Sequence, residues 1–249
     1  MADLNDVVII GGGIGGLCLA HGLKQAGVNA TVYERDHAIT DRLQGYRVHI
    51  SPKGSRALHD CLPPALFDTL TATCGRPPRA FRMLTERMQT LISVGGFNEP
   101  DGDAVEQHRS VSRITLRQVL LSGLGERVQF GKTFVRYETR GDRVVAFFED
   151  GSSAEGDVLV AADGGGSRVR RQYLPHAERI DTGVAAIGGK VFLDEETRRR
   201  IPPLLRDAMA LVSGPGGRGL FVAPQEFAHA APVNGIGGTE QAVDPAAGT

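Results

Sequence analysis

The residues best placed to do chemistry form a glycine-rich turn near the amino terminus, residues 11–16, with the sequence GGGIGG. The turn follows a short apolar run and precedes a segment of helical character, so it should join a strand to a helix. In this spacing Gly11 permits the tight turn, Gly13 lets the backbone approach a diphosphate, and Gly16 lets the helix pack on the strand. Free N–H groups at the helix start would face the anion. We therefore expect a dinucleotide-binding turn made of Gly11, Gly13, Ile14, Gly15 and Gly16.

A carboxylate follows the next predicted strand. The helix should run to about Ala26, Gly27 suits its carboxyl-terminal cap, and the apolar stretch 28–33 should form a strand that ends at Glu34. Glu34 lies 18 residues after Gly16, close to the roughly 20-residue spacing at which an acid accepts hydrogen bonds from an adenosine ribose. Because a carboxylate repels a 2′-phosphate, this position favours FAD or NAD over NADP.

Composition indicates a globular protein with a small-molecule partner. The chain has 249 residues, of which 41% are hydrophobic, and 28 basic against 29 acidic residues leave a net charge of −1. This balance argues against nucleic acid and anionic membranes as partners. Cys18, Cys61 and Cys74 are well separated and show no metal-ligand spacing. Together with an amino terminus that lacks a basic signal-peptide start, they predict a cytoplasmic protein.

The chain departs from a plain nicotinamide-binding domain after Glu34, where a polar segment replaces the next helix and strand. Helices are predicted at 52–62, from 64 onward, at 112–124 and at 168–173, and a helical stretch at 195–209 is interrupted by Pro202 and Pro203. Strands are predicted at 45–50, 79–84, 88–94, 128–131, 133–139, 143–149, 157–162, 184–193, 210–213 and 219–223. The run 157–162 reads as a strand covered on both faces.

A second ligand-facing loop follows that strand, with the sequence DGGGSRVR at residues 163–170. Together with the 11–16 turn and the Glu34-Arg35 pair, it resembles the group A FAD-dependent aromatic hydroxylases, the para-hydroxybenzoate hydroxylase-like family. The resemblance implies that Asp163 and Gly164 lie near the flavin, that Arg35 belongs to the cofactor site, and that NAD(P)H is the electron donor.

The resemblance also implies a basic residue at the start of a helix, on the flavin side of the cofactor's diphosphate. Arg113 is the first candidate for this role. Arg117 is the second, since residues four apart on a helix share a face. Arg47, on the strand after Glu34, is a further candidate for contact with the pyrophosphate.

The fold implied is α/β: a Rossmann-like FAD-binding βαβ domain with an interleaved β-sheet substrate region, lacking the carboxyl-terminal part of the family fold. The expected domains are 1–180 for FAD binding, with an inserted substrate segment at about 75–110, and 181–228 as a partial substrate-binding β region. Residues 229–249 should form a loop or a disordered tail. The family's third motif, a Gly-Asp pair that opens a helix, is missing, which indicates a truncated chain or one completed by a partner.

The function implied is reduction of FAD by NAD(P)H and transfer of one oxygen atom from O2 to a small, electron-rich, aromatic substrate. The cofactor performs the difficult chemistry, so no catalytic residue and no metal site are assigned. Two alternatives stay open: a non-catalytic or partner-dependent nucleotide-binding fragment, and a plain NAD-dependent dehydrogenase. Candidates for the lining of a substrate pocket are Arg82, Met83, Phe192 and Phe221.

Overall fold

The computed structural model describes residues 6–38, 41, 47–95 and 102–227. Its helices are α1 Ile14–Gln25, α2 Pro52–Cys61, α3 Pro64–Thr73, α4 Arg113–Leu121, α5 Arg168–Tyr173 and α6 Glu195–Arg200. Its strands are β1 Asp6–Ile10, β2 Asn29–Tyr33, β3 Arg47–Ile50, β4 Ala80–Thr85, β5 Thr90–Gly95, β6 Arg109–Ser112, β7 Val128–Gln129, β8 Phe134–Arg140, β9 Arg143–Phe148, β10 Ser153–Gly156, β11 Val158–Ala161, β12 Ala208–Ser213 and β13 Gly219–Val222.

A four-stranded parallel sheet, in the order β11-β1-β2-β7, contains the strand β1 that leads into the 11–16 turn. β1 pairs with β2 on one side and with β11 on the other, so that Ile9 lies between Val32 and Val160. Gly27, with φ of 75°, reverses the chain between α1 and β2. The carboxyl ends of these parallel strands meet at one edge, where an open α/β sheet presents its ligand site.

The two faces of β1 enter different parts of the core, because successive strand residues point in opposite directions. Ile9 belongs to the same buried cluster as Leu17 of α1 and the α2, α3 and α4 side chains Leu58, Leu70 and Leu116. Ile10, on the other face, packs with residues of the antiparallel sheet β10-β9-β8. The parallel sheet is therefore covered by helices on one side and by a second sheet on the other.

Local caps explain where several helices begin. The Ser51 hydroxyl accepts a hydrogen bond from the Gly54 N–H, and Pro52 occupies the first turn of α2. The Ser112 hydroxyl accepts from the Thr115 N–H at the start of α4. The helices predicted at 52–62, from 64 and at 112–124 are thus confirmed with small changes at their ends.

A third sheet, in the order β13-β12-β4-β5, joins two segments that are far apart in sequence. β12 pairs in parallel with β4 from Ala208↔Ala80 to Ser213↔Thr85. The hairpin within the expected insertion at 75–110 and the strands after residue 181 thus form one sheet. This agrees with an interleaved β-sheet region, whereas the domain boundaries themselves stay predictions.

Two expectations for single strands were wrong. No strand forms at 184–193, where Val184, Ile187 and Val191 are exposed. Apolar residues form a strand only where a neighbouring strand supplies hydrogen bonds, and no described strand pairs with this segment. β11 is only partly buried, because it is the edge strand of its sheet. The expected tail at 229–249 lies outside the described residues.

Across the described residues, no helix is long and apolar enough to cross a membrane.

Candidate nucleotide-binding site

The first glycine-rich corner, the turn at residues 11–16, lies against the residues that follow β11. Gly11 has φ of 108°, and its N–H donates to the Tyr33 carbonyl over 2.9 Å. A Cβ atom at Gly11 would lie 2.4 Å from the Ala162 carbonyl oxygen and 2.9 Å from the Asp163 Cα. Only glycine fits this backbone, and the close approach brings the 11–16 turn directly against the loop that begins at Asp163.

The other glycines of the turn divide into packed and open positions. A Cβ at Gly16 would lie 2.2 Å from the Gly11 carbonyl oxygen and 3.1 Å from the Ala162 Cβ, so Gly16 lets α1 begin against the turn. Around Gly13 and Gly15, no described atom lies within 4 Å of the added Cβ. Gly13 caps α1 without a side chain, and the first turn carries no acidic residue. The amino-terminal N–H groups of α1 are therefore available to an anion.

The second corner is built around Asp163 and the start of α5. One oxygen of Asp163, Oδ2, accepts from the Arg168 N–H over 2.8 Å and from the Val169 N–H over 3.4 Å. The Ser167 hydroxyl accepts from the Arg170 N–H over 2.9 Å. The other oxygen, Asp163 Oδ1, is buried and has no hydrogen-bond partner among the described residues. A buried acceptor without a donor is costly, which marks Oδ1 as a position for a ligand donor.

Glu34 ties the first turn to the end of β2. Its Oε2 accepts from the Gly12 N–H over 2.6 Å, and its Oε1 accepts from the Asp36 N–H over 3.0 Å. The residue is only 6% exposed. The carboxylate predicted to bind a ribose thus also fixes the backbone of the 11–16 turn at Gly12 and of the loop after β2 at Asp36.

Arg117 reaches this carboxylate from α4. Its Nη2 lies 3.1 Å from the Asp36 Oδ2 and 4.0 Å from the Glu34 Oε2. The side chain is 14% exposed, and all three charged groups are therefore largely withdrawn from water. Arg113, one turn earlier on α4, is exposed. The two arginines proposed from the sequence for the same role therefore differ in the structure, since Arg117 lies beside two carboxylates and Arg113 is exposed.

These residues surround one cleft of about 650 Å³ at the carboxyl edge of the parallel sheet. The predicted site residues that line it are Gly11, Gly13, Ile14, Glu34, Arg35, Arg113, Arg117, Asp163 and Gly164. Gly15 and Gly16 belong to the same turn but do not line the cleft. The lining residues that sequence reasoning missed include Asp36, Asp41, Lys132, Thr133, Phe134, Arg168 and Arg171.

Only some of the missed residues carried a signal in the sequence. Arg168 lies inside the 163–170 motif, and Arg171 follows it directly. Lys132 reaches the cleft because β7 pairs with β2, and its ammonium group is held 2.6 Å from Asp150. Such a position depends on strand order, which the local sequence does not encode.

Arg47 does not line the cleft, in contrast to its predicted contact with a diphosphate. Its Nε donates to the Ser110 hydroxyl over 2.5 Å, and its Nη1 lies 3.1 Å from the Met209 sulfur. The antiparallel pairing of β3 with β6 directs it there. Burial lowers the pKa of Arg47 from its ordinary value. Its role at a diphosphate stays a prediction.

Two further polar side chains, those of Arg82 and His21, have structural contacts. Arg82 donates from Nη1 to the Leu204 carbonyl over 2.6 Å and to the Asp207 carboxylate over 2.8 Å. His21 is buried, and its Nε2 lies 2.9 Å from the Leu120 carbonyl oxygen. Burial lowers the pKa of His21. Neither side chain is directed into the cleft.

Comparisons with known proteins give the same family as the motifs. Residues 9–86 match the family model of the NAD(P)-binding Rossmann-like domain. A dual O-methyltransferase/FAD-dependent monooxygenase of Phaeosphaeria nodorum is 33% identical over 207 residues, which cover 80% of this chain and 22% of that protein. The FAD-dependent urate hydroxylase of Klebsiella pneumoniae is 35% identical over 193 residues, covering 76% of this chain and 48% of that protein.

Solved structures support the same assignment. The crystal structure of a candidate FAD-containing monooxygenase from Photorhabdus luminescens superposes with a TM-score of 0.74 at 36% identity, over 87% of this chain and 55% of that one. The chain thus spans between about a fifth and about half of the length of these proteins. The paired glycine corners, the sheet order and these similarities agree, and the chain belongs to the family of FAD-dependent aromatic hydroxylases, with the para-hydroxybenzoate hydroxylase-like fold.

Proposed function

We propose that the cleft binds FAD and that the protein serves an NAD(P)H-dependent monooxygenase reaction on a small aromatic substrate. The observation that carries this proposal is the contact between the two corners, which is so close that a Cβ atom at Gly11 would lie 2.4 Å from the Ala162 carbonyl oxygen. One elongated cofactor can therefore meet the 11–16 turn and the 163–164 loop together. A plain dinucleotide-binding domain has no use for the second loop.

The residues at the β2 end of the cleft fit the adenosine half of FAD. Glu34 uses each oxygen once, for the Gly12 and Asp36 N–H groups. A carboxylate has about four lone-pair sites, so acceptor capacity remains for ribose hydroxyls. Arg35 lines the same end. This supports our placement of the ribose at Glu34.

The middle of the cleft fits a diphosphate. The amino terminus of α1 presents N–H groups with the positive end of the helix dipole, and the open space around Gly13 admits an anion close to the backbone. Arg113 and Arg171 line the cleft and have no carboxylate partner among the described residues. We assign the diphosphate to this turn, with Arg113 as the side-chain contact.

The far end of the cleft fits a hydroxyl-bearing chain such as the ribityl group. Asp163 Oδ1 is a buried acceptor without a donor among the described residues, and a ligand hydroxyl would satisfy it. Gly164, with φ of 76°, keeps the neighbouring backbone free of a side chain. Bound FAD would supply the redox chemistry and the activation of O2. The chain's own residues bind the cofactor, orient it and restrict water in the cleft.

The substrate class rests on similarity to relatives, one of which is a urate hydroxylase. We place substrate binding at the sheet formed by β4, β5, β12 and β13, in line with the domain prediction. We also propose a cytoplasmic location, which is supported by three free cysteines.

The test is titration of the purified 249-residue chain with FAD, followed by flavin fluorescence and by oxidation of NADH and NADPH in air. We expect saturable binding of one FAD per chain and electron transfer from a reduced nicotinamide. Binding of NAD without FAD, with turnover of an alcohol or ketone, would identify a dehydrogenase instead. Absence of both cofactor binding and turnover would identify a non-catalytic fragment.

A further inference from the structure

We propose that Arg117 is a positioning residue of the nucleotide site, which holds the Glu34 carboxylate and its loop in place for the adenosine ribose. This inference rests on the proposed cofactor site. It replaces the expectation that Arg117 contacts the diphosphate directly. The proposal rests on one observation: the guanidinium of Arg117 on α4 lies beside two carboxylates at the end of β2.

The first step is the charge balance of this cluster. Glu34 and Asp36 are 6% and 8% exposed, and Glu34 Oε1 accepts from the Asp36 N–H over 3.0 Å. Two carboxylates so close together in a poorly solvated place repel each other unless a cation lies between them. Arg117 Nη2 supplies that cation, 3.1 Å from Asp36 and 4.0 Å from Glu34. Its removal would take away the cation that lies between two buried carboxylates, which is unfavourable in a poorly solvated site.

The second step is that α4 is held firmly enough to define the position of the guanidinium. Leu116, Val119 and Leu120 of this helix are fully buried in the core formed with α1. The Ser112 hydroxyl caps its first turn. The Arg117 side chain therefore extends from a fixed helix towards the loop that follows β2.

The third step is the effect on the ligand. Glu34 contacts the Gly12 N–H over 2.6 Å, so a shift of its carboxylate would disturb both the ribose acceptor and the first turn. Arg117 Nε is buried without a partner among the described residues, so a direct contact with phosphate is the alternative that the experiment must separate. If Arg117 positions Glu34, its loss should weaken recognition of the ribose hydroxyls. If Arg117 binds phosphate, its loss should weaken the binding of every nucleoside diphosphate equally.

The experiment compares ADP with 2′-deoxy-ADP in the wild-type chain and in Arg117→Met, with binding measured by calorimetry. In the wild type we expect ADP to bind about tenfold more tightly, since a hydrogen bond to a charged acceptor is lost in the deoxy compound. In Arg117→Met we expect this preference to fall to about twofold or less, because a displaced Glu34 no longer reads the hydroxyl. Arg117→Lys, which keeps the charge, should restore part of the preference.

A double-mutant cycle with Glu34→Gln adds a second criterion. If Arg117 acts through Glu34, the loss of ADP affinity in the double variant should be close to that in Glu34→Gln alone. Equal weakening of both nucleotides by Arg117→Met, with an unchanged ratio, would overturn the proposal. Additive losses in the cycle would also overturn it.

Arg143→Met is the matched control, because Arg143 also bridges several carboxylates: Asp6, Glu155 and Asp157. It lies at the amino-terminal edge of the parallel sheet, and its loss should leave the nucleotide ratio unchanged.

Hydrogen exchange gives a readout that does not need a bound cofactor. In Arg117→Met, peptides covering 11–16 and 33–38 should exchange faster, since the Gly12 and Asp36 amides donate to Glu34. Unchanged exchange in these peptides would contradict the positioning role even if no nucleotide binds. Failure of the wild type to bind any nucleotide, with faster exchange in the variant, would instead contradict only the proposed function.

Discussion

At the scale of single residues, the turn at 11–16 shows that glycines of one motif are needed for different reasons. Gly11 lacks room for a Cβ atom and has a positive φ, whereas Gly15 has open space on its outer side. The sequence pattern predicted the tight turn at Gly11 and the helix start at Gly16, which depend on the backbone of the motif, but not the contact of both glycines with Ala162. It could not predict the partner of Arg117, because that depends on how α4 packs relative to β2.

We expect Gly11→Ala to destabilise the chain by about 2 kcal/mol or more, through strain at positive φ and collision with the Ala162 carbonyl. Gly15→Ala, at a helical position with free space, should be neutral or stabilising by up to about 1 kcal/mol. The measurement is urea denaturation of both variants without nucleotide. Equal stability of the two variants would mean that the corners are not packed as described.

At the scale of elements, most boundaries could be predicted because they depend on nearby residues. Ser51 with Pro52, Ser112 and Ser167 each mark a helix start that the structure shows. The failure at 184–193 has the opposite cause, since a strand requires a partner that the local pattern does not reveal. The pairing of β4 with β12 across more than 100 residues was likewise beyond local patterns.

At α5 we expect stability and cofactor binding to be separable. Ser167→Ala should cost about 1 kcal/mol of stability through loss of the cap, with FAD affinity nearly unchanged. Asp163→Asn should keep the hydrogen bonds to the Arg168 and Val169 N–H groups through its carbonyl oxygen but weaken FAD binding by about tenfold, because a charged acceptor is lost. The measurements are thermal unfolding and FAD titration of each variant. A loss of FAD affinity in Ser167→Ala as large as in Asp163→Asn would contradict this division.

At the scale of the whole molecule, an ion pair links the insertion to the later chain. Arg82 of β4 donates to Asp207, just before β12, and this hydrogen bond lowers the pKa of the Asp207 carboxyl from its ordinary value. A carboxyl with a lowered folded-state pKa contributes stability above its unfolded pKa of about 4. That contribution is lost as the pH falls through the lower, folded-state pKa.

We therefore expect Asp207→Asn to be less stable than the wild type at pH 7, and this difference to shrink as the pH falls below about 4. The difference should stay below about 1 kcal/mol, because the Asp207 side chain is 41% exposed and the pair is screened. Urea denaturation at several pH values measures it. Asp142→Asn, which removes another exposed carboxylate from a hairpin turn, is the control. A difference that does not shrink as the pH falls below about 4 would exclude the ion pair as its cause.

The expected division of the chain near residue 180 can be tested by limited proteolysis. Arg179 lies in the stretch 174–194, which has no regular secondary structure, whereas Arg136 and Arg140 are also exposed but lie in the ladder of β8. A protease needs several residues of free backbone, so trypsin should cut after Arg179 well before it cuts after Arg136 or Arg140.

The two pieces of the nicked chain should stay together, because β4 belongs to the first piece, β12 belongs to the second, and the two strands pair over six residues. FAD should not slow cleavage after Arg179, since every residue that lines the cleft precedes this site. Mass spectrometry of the fragments and gel filtration of the nicked protein provide the measurements. Separation of the pieces would contradict the pairing of β12 with β4. Protection of Arg179 by FAD would show that the segment after 180 belongs to the cofactor-binding unit.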